Sequence, residues 1–296
     1  MDVSIVNNPV MTSSEWEQKG ALIPVFDKEI FTIDSGNHQK SLVILHGYLT
    51  SSYDYHKVLP ELSKHYRVVV FDFIGFGFSE KLDKQYFTII DQADCVLELC
   101  RLMDLKNITL FAHDYGTEVA QEIIARQNYS LIDITIEKYI LCNGNMPLDH
   151  SFFLDYHKKV KEQVAKKLIA KVASFGMYKK AIREVFFDEN KITDAELTEM
   201  WFQLELNKGR DVINFVHHYI RERKIFWHRW VKGLKENKVP IKLVLGRQDP
   251  VNNKSTPDPL AEKIEEDEIE ILWIENCGHY PMLESPKEWV EAVLKA

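Results

Sequence analysis

The feature that most constrains the fold is a regular alternation of short apolar runs with longer amphipathic stretches. The apolar runs of the first half are Phe31–Asp34, Leu42–Leu45, Arg67–Phe73, Asn107–Ala112 and Ile136–Cys142. Between them, apolar residues recur at helical spacing over Ser52–Lys64, Thr88–Met103 and Thr117–Arg126. Unbroken apolar strands separated by amphipathic helices are typical of a parallel sheet that is buried on both faces.

A change of pattern in the second half predicts how the chain is divided. Residues 146–235 are almost entirely helical in period, and strand-helix alternation resumes at Ile241–Leu245 and Glu270–Ile274. A helical insertion between two parts of one sheet is the simplest interpretation, and a separate helical domain is the alternative. We therefore expect an α/β fold with a mostly parallel twisted sheet and helices on both faces. Residues 1–145 and 236–296 would form the core, and residues 146–235 a helical cap inserted after strand six.

Charge and composition narrow the range of partners. The chain carries 37 basic and 45 acidic side chains, and its net charge of −8 repels nucleic-acid backbones. No apolar run reaches the ~20 residues that a membrane span needs, and the polar N-terminus does not resemble a signal peptide. The cysteines lie outside metal-binding spacings and are predicted to be reduced thiols of a cytoplasmic protein: Cys95, Cys100, Cys142 and Cys277. We expect a small-molecule substrate and neither a cofactor nor a metal, while the oligomeric state stays open.

The segment NITLFAHDYG has the pattern of a strand, a sharp turn and a helix, with Asp114 at the turn. Small residues flank it at Ala112 and Gly116, as a strained turn requires where larger side chains would crowd neighbouring strands. The start of the following helix directs N–H groups and the positive end of its dipole at the turn. That surrounding suits an ionised carboxylate, so Asp114 is a candidate nucleophile. The alternative is that Asp114 only caps the helix.

Two later residues complete a candidate triad. Asp249 lies in GRQDPV at the end of a predicted strand, and His279 lies in CGHYP at the end of the next. Nucleophile, acid and then histidine is the chain order found with this kind of strand-turn-helix elbow. Asp72 and Asp94 could also orient His279, but Asp249 is favoured because it lies at a strand end with room for one helix before His279. A purely structural His279 is the alternative.

A carboxylate nucleophile predicts a particular chemistry. Aspartate has an ordinary pKa near 3.9, so Asp114 is ionised at pH 7 without the help of a base. It could displace a leaving group from an sp³ carbon and form an alkyl-enzyme ester. His279, oriented by Asp249, would then activate a water that attacks this ester. Backbone N–H groups of Tyr48 and Tyr115 would stabilise the oxyanion. Attack on an ordinary ester would give an anhydride, which disfavours esterase or lipase activity.

The motifs HGY, DFIGFGFSE, HDYG, GRQDPVN and HYPMLESP resemble the epoxide hydrolase and haloalkane dehalogenase group of α/β-hydrolases. The resemblance covers nearly the whole chain, including YIRERKIFWHRWVKGL in the predicted cap, and within the group it extends to the branch called mesoderm-specific transcript proteins. It implies the α/β-hydrolase fold and leaves the leaving group open.

The halide donors that the resemblance implies for a dehalogenase do not match this sequence. Dehalogenases of this group usually carry a Trp after the nucleophile and a second Trp or an Asn, whereas this chain has Tyr115 and Tyr48. A tryptophan of the predicted cap could substitute, and the candidates are Trp201, Trp227 and Trp230.

The proton donors that the resemblance implies for an epoxide hydrolase match better. These enzymes use cap tyrosines as acids, and Tyr219 matches the position of one. Tyr156 is the candidate for the second and Tyr178 the reserve, while Leu49 departs from the proline that is usual there. We therefore expect an epoxide-hydrolase-like enzyme for small apolar substrates. A haloalkane dehalogenase with a non-standard halide site and a non-catalytic binding protein of the same fold remain alternatives.

Overall fold

One twisted sheet organises the residues that the computed structural model describes, which are 10–36, 38–82, 87–144, 173–211, 218–251 and 269–296. Its strands are β1 (Ala21–Val25), β2 (Lys28–Asp34), β3 (Ser41–Leu45), β4 (Arg67–Phe71), β5 (Ile108–His113), β6 (Ile136–Cys142), β7 (Ile241–Gly246) and β8 (Glu270–Ile274). They are ordered β1-β2-β4-β3-β5-β6-β7-β8. The pairs β1/β2 and β2/β4 are antiparallel and all the others are parallel, which confirms the predicted mostly parallel sheet.

The described α-helices connect and cover the strands. They are α1 (Ser13–Glu17), α2 (Leu59–Leu62), α3 (Ile89–Leu102), α4 (Tyr115–Asn128), α5 (Phe175–Arg183), α6 (Asp194–Glu205), α7 (Tyr219–Glu236), α8 (Pro281–Glu284) and α9 (Pro286–Lys295). Short 3-10 turns occur at Ser52–Tyr55, Glu189–Lys191 and Leu206–Lys208. Every residue of β3 and β5 is buried, so the central strands are covered on both faces, as their unbroken apolar sequences predict.

One local prediction was wrong, and one strand was missed. The helix predicted over Ser52–Lys64 is split into a 3-10 turn and α2, because Pro60 lacks the N–H that a continuous helix would need. Strand β1 was not predicted, because its sequence contains Pro24 and its side chains do not alternate clearly. A proline is tolerated there because β1 lies at the edge of the sheet and pairs only with β2 among the described strands.

The sheet topology gathers one set of loops at one edge. The chain moves from β3 outward to β4 and then returns to the other side of β3 as β5, so the strand order reverses at β3. Ligands of open α/β sheets bind at such a reversal, outside the carboxyl ends of the strands. Tyr48, Asp114, Asp249 and His279 follow the carboxyl ends of β3, β5, β7 and β8, respectively.

Helices α5 to α7 follow β6, where the helical insertion was predicted. Because residues 145–172 and 212–217 lie outside the described part of the chain, the division into core and cap stays a prediction. Helix α7 packs closely on α4: a Cβ added to Gly233 would lie 3.2 Å from both Cα and Cβ of Ala125. The Asn128 side chain also donates a hydrogen bond to the carbonyl of Gly233 at 2.7 Å.

Replacing Gly233 with leucine should force α7 away from α4. Overpacking of this kind typically costs ~1–3 kcal/mol of unfolding free energy, which urea denaturation would measure. Gly176 in α5 is the matched control, because an added Cβ there meets nothing within 4 Å. Gly176→Leu should leave the unfolding free energy unchanged or slightly raised. Equal effects of the two substitutions would show that the α4–α7 contact is not tightly packed.

Candidate active site

Asp114 occupies a strained turn between β5 and α4. Its backbone has φ 44° and ψ −114°, a conformation that residues other than glycine rarely adopt. The turn is fixed from both sides: the Asp114 N–H donates to the Cys142 carbonyl at 3.2 Å, and the Thr117 N–H donates to the Asp114 carbonyl at 2.9 Å. The carboxylate does not cap α4, because no side-chain capping hydrogen bond is present. Asp114 therefore occupies the N-cap position of α4 without using its side chain as the cap.

The small residues around the turn have a steric reason. A Cβ added to Gly116 would lie 2.7 Å from the carbonyl oxygen of Leu45 and 2.9 Å from that of His46. A Cβ added to Gly47 would lie 2.8 Å from Nδ1 of His113. The elbow and the loop after β3 thus approach each other at backbone distance, which is the crowding predicted from the small-x-Asp-x-small pattern.

The Asp114 carboxylate is held from two directions. Its Oδ2 accepts a hydrogen bond from the backbone N–H of Tyr48 at 2.9 Å, and its Oδ1 lies 3.8 Å from Nε2 of His279. The side chain is mostly buried, with 16% of its area exposed. Burial opposes ionisation, but the electrostatic influence of the neighbouring His279 and His113 and the hydrogen bond from the Tyr48 N–H outweigh it and lower the pKa of Asp114. Asp114 is therefore an anion at neutral pH.

His279 and Asp249 form a buried pair beside Asp114. Nδ1 of His279 lies 2.9 Å from Oδ2 of Asp249, and the side chains are 5% and 2% exposed. The Val251 N–H donates to the other Asp249 oxygen at 2.8 Å. Since a carboxylate accepts at Nδ1, the network assigns the ring proton to Nδ1 and directs Nε2 towards Asp114. The three residues predicted as a triad are thus brought together in the predicted order.

Sequence reasoning missed two residues that hold the His279 loop. The Asn143 amide donates to the carbonyl of Gly278 at 2.9 Å and accepts the Gly246 N–H at 3.0 Å. It therefore ties the end of β6 to the end of β7 and to the His279 loop. His113 lies 2.8 Å from the His279 carbonyl through Nε2, and burial lowers the pKa of His113 to about 4, so it is a neutral donor. Their positions in the sequence could have indicated this role, since each is a polar residue at the carboxyl end of a buried strand.

Three tyrosine rings meet above the elbow. The Tyr219 ring centroid lies 5.4 Å from that of Tyr48 and 5.1 Å from that of Tyr115, the latter in a perpendicular contact. Tyr219 is the first residue of α7 and is 6% exposed. Burial raises the pKa of Tyr219 well above its ordinary value, and the charge of Asp114 adds to this effect. Tyr219 therefore carries its proton at neutral pH.

Other predicted candidates lie elsewhere in the structure. Tyr156 lies outside the described residues. Tyr178 is fully buried, and its hydroxyl donates to the carbonyl of Leu49 at 3.4 Å, one residue beyond Tyr48. The indole of Trp230 donates to Glu122 at 3.0 Å. Trp201 packs on Phe175 and Tyr178, while Trp227 contacts His228.

The two aspartates considered as alternatives to Asp249 have different partners. Asp94 contacts the guanidinium of Arg126. Asp72 accepts the N–H groups of Ser52 and Phe78, each at 2.7 Å, and so joins the loops after β3 and β4. Their positions are consistent with structural roles, as the sequence favoured.

A further buried carboxyl group, Asp54, was not predicted. The Thr50 hydroxyl donates to Oδ2 of Asp54 at 2.6 Å, whereas Oδ1 has no hydrogen-bond partner among the described residues. The side chain is fully buried, and burial raises the pKa of Asp54 to about 8, with the nearby charge of Asp72 adding to this effect. Asp54 is therefore a neutral acid over most of the physiological range.

Within the described part of the chain, no cluster of three or more histidine, cysteine or acidic side chains could hold a metal ion. No described helix is long and apolar enough to cross a membrane. All four cysteines are buried and unpaired, as predicted, while the cytoplasmic location stays a prediction.

Comparison with known proteins supports the architecture. A family profile described as alpha/beta hydrolase fold matches residues 40–286. The mouse mesoderm-specific transcript protein is 33% identical over 288 residues, which cover 94% of this chain and 86% of that protein. A haloalkane dehalogenase of Mesorhizobium japonicum is 27% identical over 134 residues, covering 45% of this chain and 41% of the dehalogenase. These matches confirm the resemblance predicted from the motifs.

Two solved structures show how far the fold is shared. A meta-cleavage product hydrolase variant superposes with a TM-score of 0.74 at 16% identity, covering 94% of this chain and 97% of that one. An epoxide hydrolase superposes with a TM-score of 0.63 at 17% identity, covering 93% and 97%. At such identities the likeness concerns the fold alone.

The buried Asp54 should make stability fall with rising pH. Its folded pKa of about 8 lies above its ordinary 3.8, so the folded state binds more protons than the unfolded state between these values. The stabilisation is fully present below the lower value and is lost as pH rises through the upper one. Asp54→Asn keeps the shape and removes the titration. Its unfolding free energy relative to wild type should therefore rise by on the order of 1 kcal/mol per pH unit between about pH 6 and about pH 8. If the unfolding free energies of the two proteins, measured by urea denaturation, changed equally with pH, this assignment would be contradicted.

Proposed function

The chain belongs to the α/β-hydrolase family, and we propose that it is a hydrolase whose Asp114 carboxylate attacks an sp³ carbon of a small apolar substrate. The observation that carries the proposal is an ionised carboxylate at the elbow, with Oδ2 held by the Tyr48 N–H and Oδ1 near His279. A serine at the elbow would need its histidine as a base before it attacks, but an ionised aspartate does not.

In the proposed mechanism the two carboxylate oxygens of Asp114 have different roles. Oδ1, which is not the atom bound by Tyr48, is the attacking atom and forms the ester bond to the substrate carbon. Oδ2 becomes the carbonyl oxygen of that ester and is already placed at the Tyr48 N–H, 2.9 Å away. His279, held by Asp249, removes a proton from a water that attacks the ester carbon. The resulting oxyanion forms on Oδ2, where one such donor typically lowers the barrier by ~3 kcal/mol.

The leaving group that best fits a proton donor at Tyr219 is the oxygen of an epoxide. Opening the ring breaks a C–O bond and forms the bond from Asp114, and the departing oxygen needs a proton. Tyr219 carries that proton at neutral pH and lies over the elbow, against the rings of Tyr48 and Tyr115. The hydrolysis of the ester then releases a diol.

A haloalkane dehalogenase is the second candidate, because a dehalogenase is among the relatives of the chain. In that reaction Asp114 displaces halide and the product is an alcohol. The positions that usually carry halide donors hold Tyr48 and Tyr115, and the indole of Trp230 is directed at Glu122 rather than at the elbow. We therefore rank it below the epoxide hydrolase.

Trapping of the ester tests both candidates together. His279→Gln should still be alkylated but should not hydrolyse the ester, because the base for the water is missing. Incubation with a panel of epoxides and haloalkanes should add mass to the peptide that contains Asp114. An epoxide adds its whole mass, whereas a haloalkane adds its alkyl group and releases halide.

The double variant His279→Gln/Asp114→Ala is the matched control and should stay unlabelled. In the wild type, diol release should be lost on Asp114→Ala by on the order of 10⁴-fold or more. Absence of any adduct from the whole panel would contradict nucleophilic attack by Asp114 and favour a non-catalytic binding protein.

A further inference from the structure

A buried contact between an arginine and a glutamate lies beside the candidate site and has no part in the mechanism above. Arg223 of α7 contacts Oε1 of Glu118 through Nη2, and their side chains are 7% and 1% exposed. Glu118 lies in the first turn of α4, just after the elbow, and Arg223 lies one turn into α7. The pair therefore joins the two helices at the ends that face the site.

Arg223 also lies against Tyr219, the proposed proton donor. Its guanidinium carbon is 4.8 Å from the centroid of the Tyr219 ring. The two residues are four positions apart on one helix and therefore share a face. A guanidinium at this distance from an aromatic face is attracted to it, more strongly when both groups are removed from water.

The groups around Tyr219 act on its proton in opposite directions. Burial and the negative charge of Asp114 raise the pKa of Tyr219, because they oppose a negative phenolate, and Glu118 adds to this effect to the extent that it is ionised. The charge of Arg223 acts the other way. Without such a cation the buried tyrosine would hold its proton still more tightly and would be a weaker acid.

Glu118 keeps Arg223 in this position. Burial raises the pKa of Glu118 to about 8, while the charge of Arg223 opposes that rise. Glu118 therefore does not fully neutralise the guanidinium at neutral pH, and it still holds Nη2 by direct contact. The guanidinium of Arg223 therefore keeps positive charge that can act on the tyrosine rings and on Asp114. This is consistent with the effect of Arg223 on Asp114, whose pKa it lowers.

We propose that Arg223, anchored by Glu118, is a positioning residue that stabilises the tyrosinate left when Tyr219 protonates an opening epoxide. The inference rests on the proposed function and adds to it a residue that favours the ionised form of Tyr219. The proton passes from the Tyr219 hydroxyl to the epoxide oxygen as the ring C–O bond breaks. As the ester bond breaks, the proton that His279 took from water passes to the departing alkoxide of the diol. The Tyr219 proton is restored when the Asp114 carboxylic acid released by hydrolysis loses its own proton.

The first test measures the acidity of residue 219 without any substrate. A ring-fluorinated tyrosine of lowered pKa is incorporated at position 219, and its ionisation is followed by fluorine NMR. Arg223→Met should weaken the acid by on the order of tenfold, and Arg223→Lys should restore part of the effect. Glu118→Gln leaves the cation in place, so it should weaken the acid less than Arg223→Met does. An unchanged midpoint in Arg223→Met would overturn the proposal.

The matched control is Arg229→Met. Arg229 also joins α7 to α4, through Glu122 at 2.8 Å, but it lies further along both helices and is 34% exposed. Its loss should leave the ionisation of residue 219 unchanged. A shift equal to that of Arg223→Met would mean that any weakening of the α4–α7 contact moves the tyrosine, and that outcome would also overturn the proposal.

The second test separates this inference from the proposed function. In the His279→Gln background, Arg223→Met should slow the alkylation of Asp114 by an epoxide on the order of tenfold. Alkylation by a reactive bromoalkane, which needs no proton, should hardly change. Tyr219→Phe should show the same selectivity, and the double variant should be no slower than Tyr219→Phe alone. Equal slowing with both reagents would refute the role of Arg223 while leaving the nucleophile intact. Failure of both reagents to label the parent protein would refute the proposed function instead, and the fluorine measurement would still decide on Arg223.

Discussion

The backbone conformation of Asp114 is the constraint on which the rest of the site depends. A non-glycine residue with φ 44° and ψ −114° costs of order 1–3 kcal/mol and persists only where its surroundings impose it. Here a fully buried strand precedes the turn and a 14-residue helix follows it. Gly116 lets that helix approach the backbone of β3, so the strain is offset by packing on both sides. The same turn presents a carboxylate to the Tyr48 N–H and starts α4 beneath the tyrosine rings.

Sheet topology brings the loops to one edge, but hydrogen bonds between the loops fix their orientation. Asn143 binds the ends of β7 and of the His279 loop at once, and His113 holds the His279 carbonyl. Helices α4 and α7 then form the far side of the site. Glu118 and Glu122 of α4 each contact an arginine of α7, so the packing of these helices determines where Tyr219 lies. The position of the proposed acid is thus coupled to the helix that follows the proposed nucleophile.

Much of this could be predicted from the sequence, because apolar parallel strands leave a strong pattern and the elbow, acid and histidine occur in a fixed order. The failures have a common physical origin. Glu118 and Glu122 recur at helical spacing on α4, where charged residues indicate a solvent-exposed face, yet α7 covers them and both are 1% exposed. Asp54 was missed for the same reason, since no single-sequence pattern marks an acid as buried. Strand β1 was missed because a proline at a sheet edge weakens the pattern without preventing pairing.

Three buried carboxyl groups around the site show that surroundings, and not residue type, select the anion. Burial raises the pKa of Asp54 and of Glu118 to about 8, although Glu118 contacts an arginine. Asp114 is subject to the same effect of burial, but the electrostatic influence of two histidines and the hydrogen bond from the backbone N–H of Tyr48 lower its pKa. Environments that push the pKa values of neighbouring acids apart are how one fold separates charged from neutral roles. Because burial favours the neutral forms of Asp54 and Glu118, these acids repel the Asp114 anion less than two further carboxylates would. The strained turn therefore does more than expose a side chain, because it places this carboxylate beside the Tyr48 N–H and the two histidines that favour its ionised form.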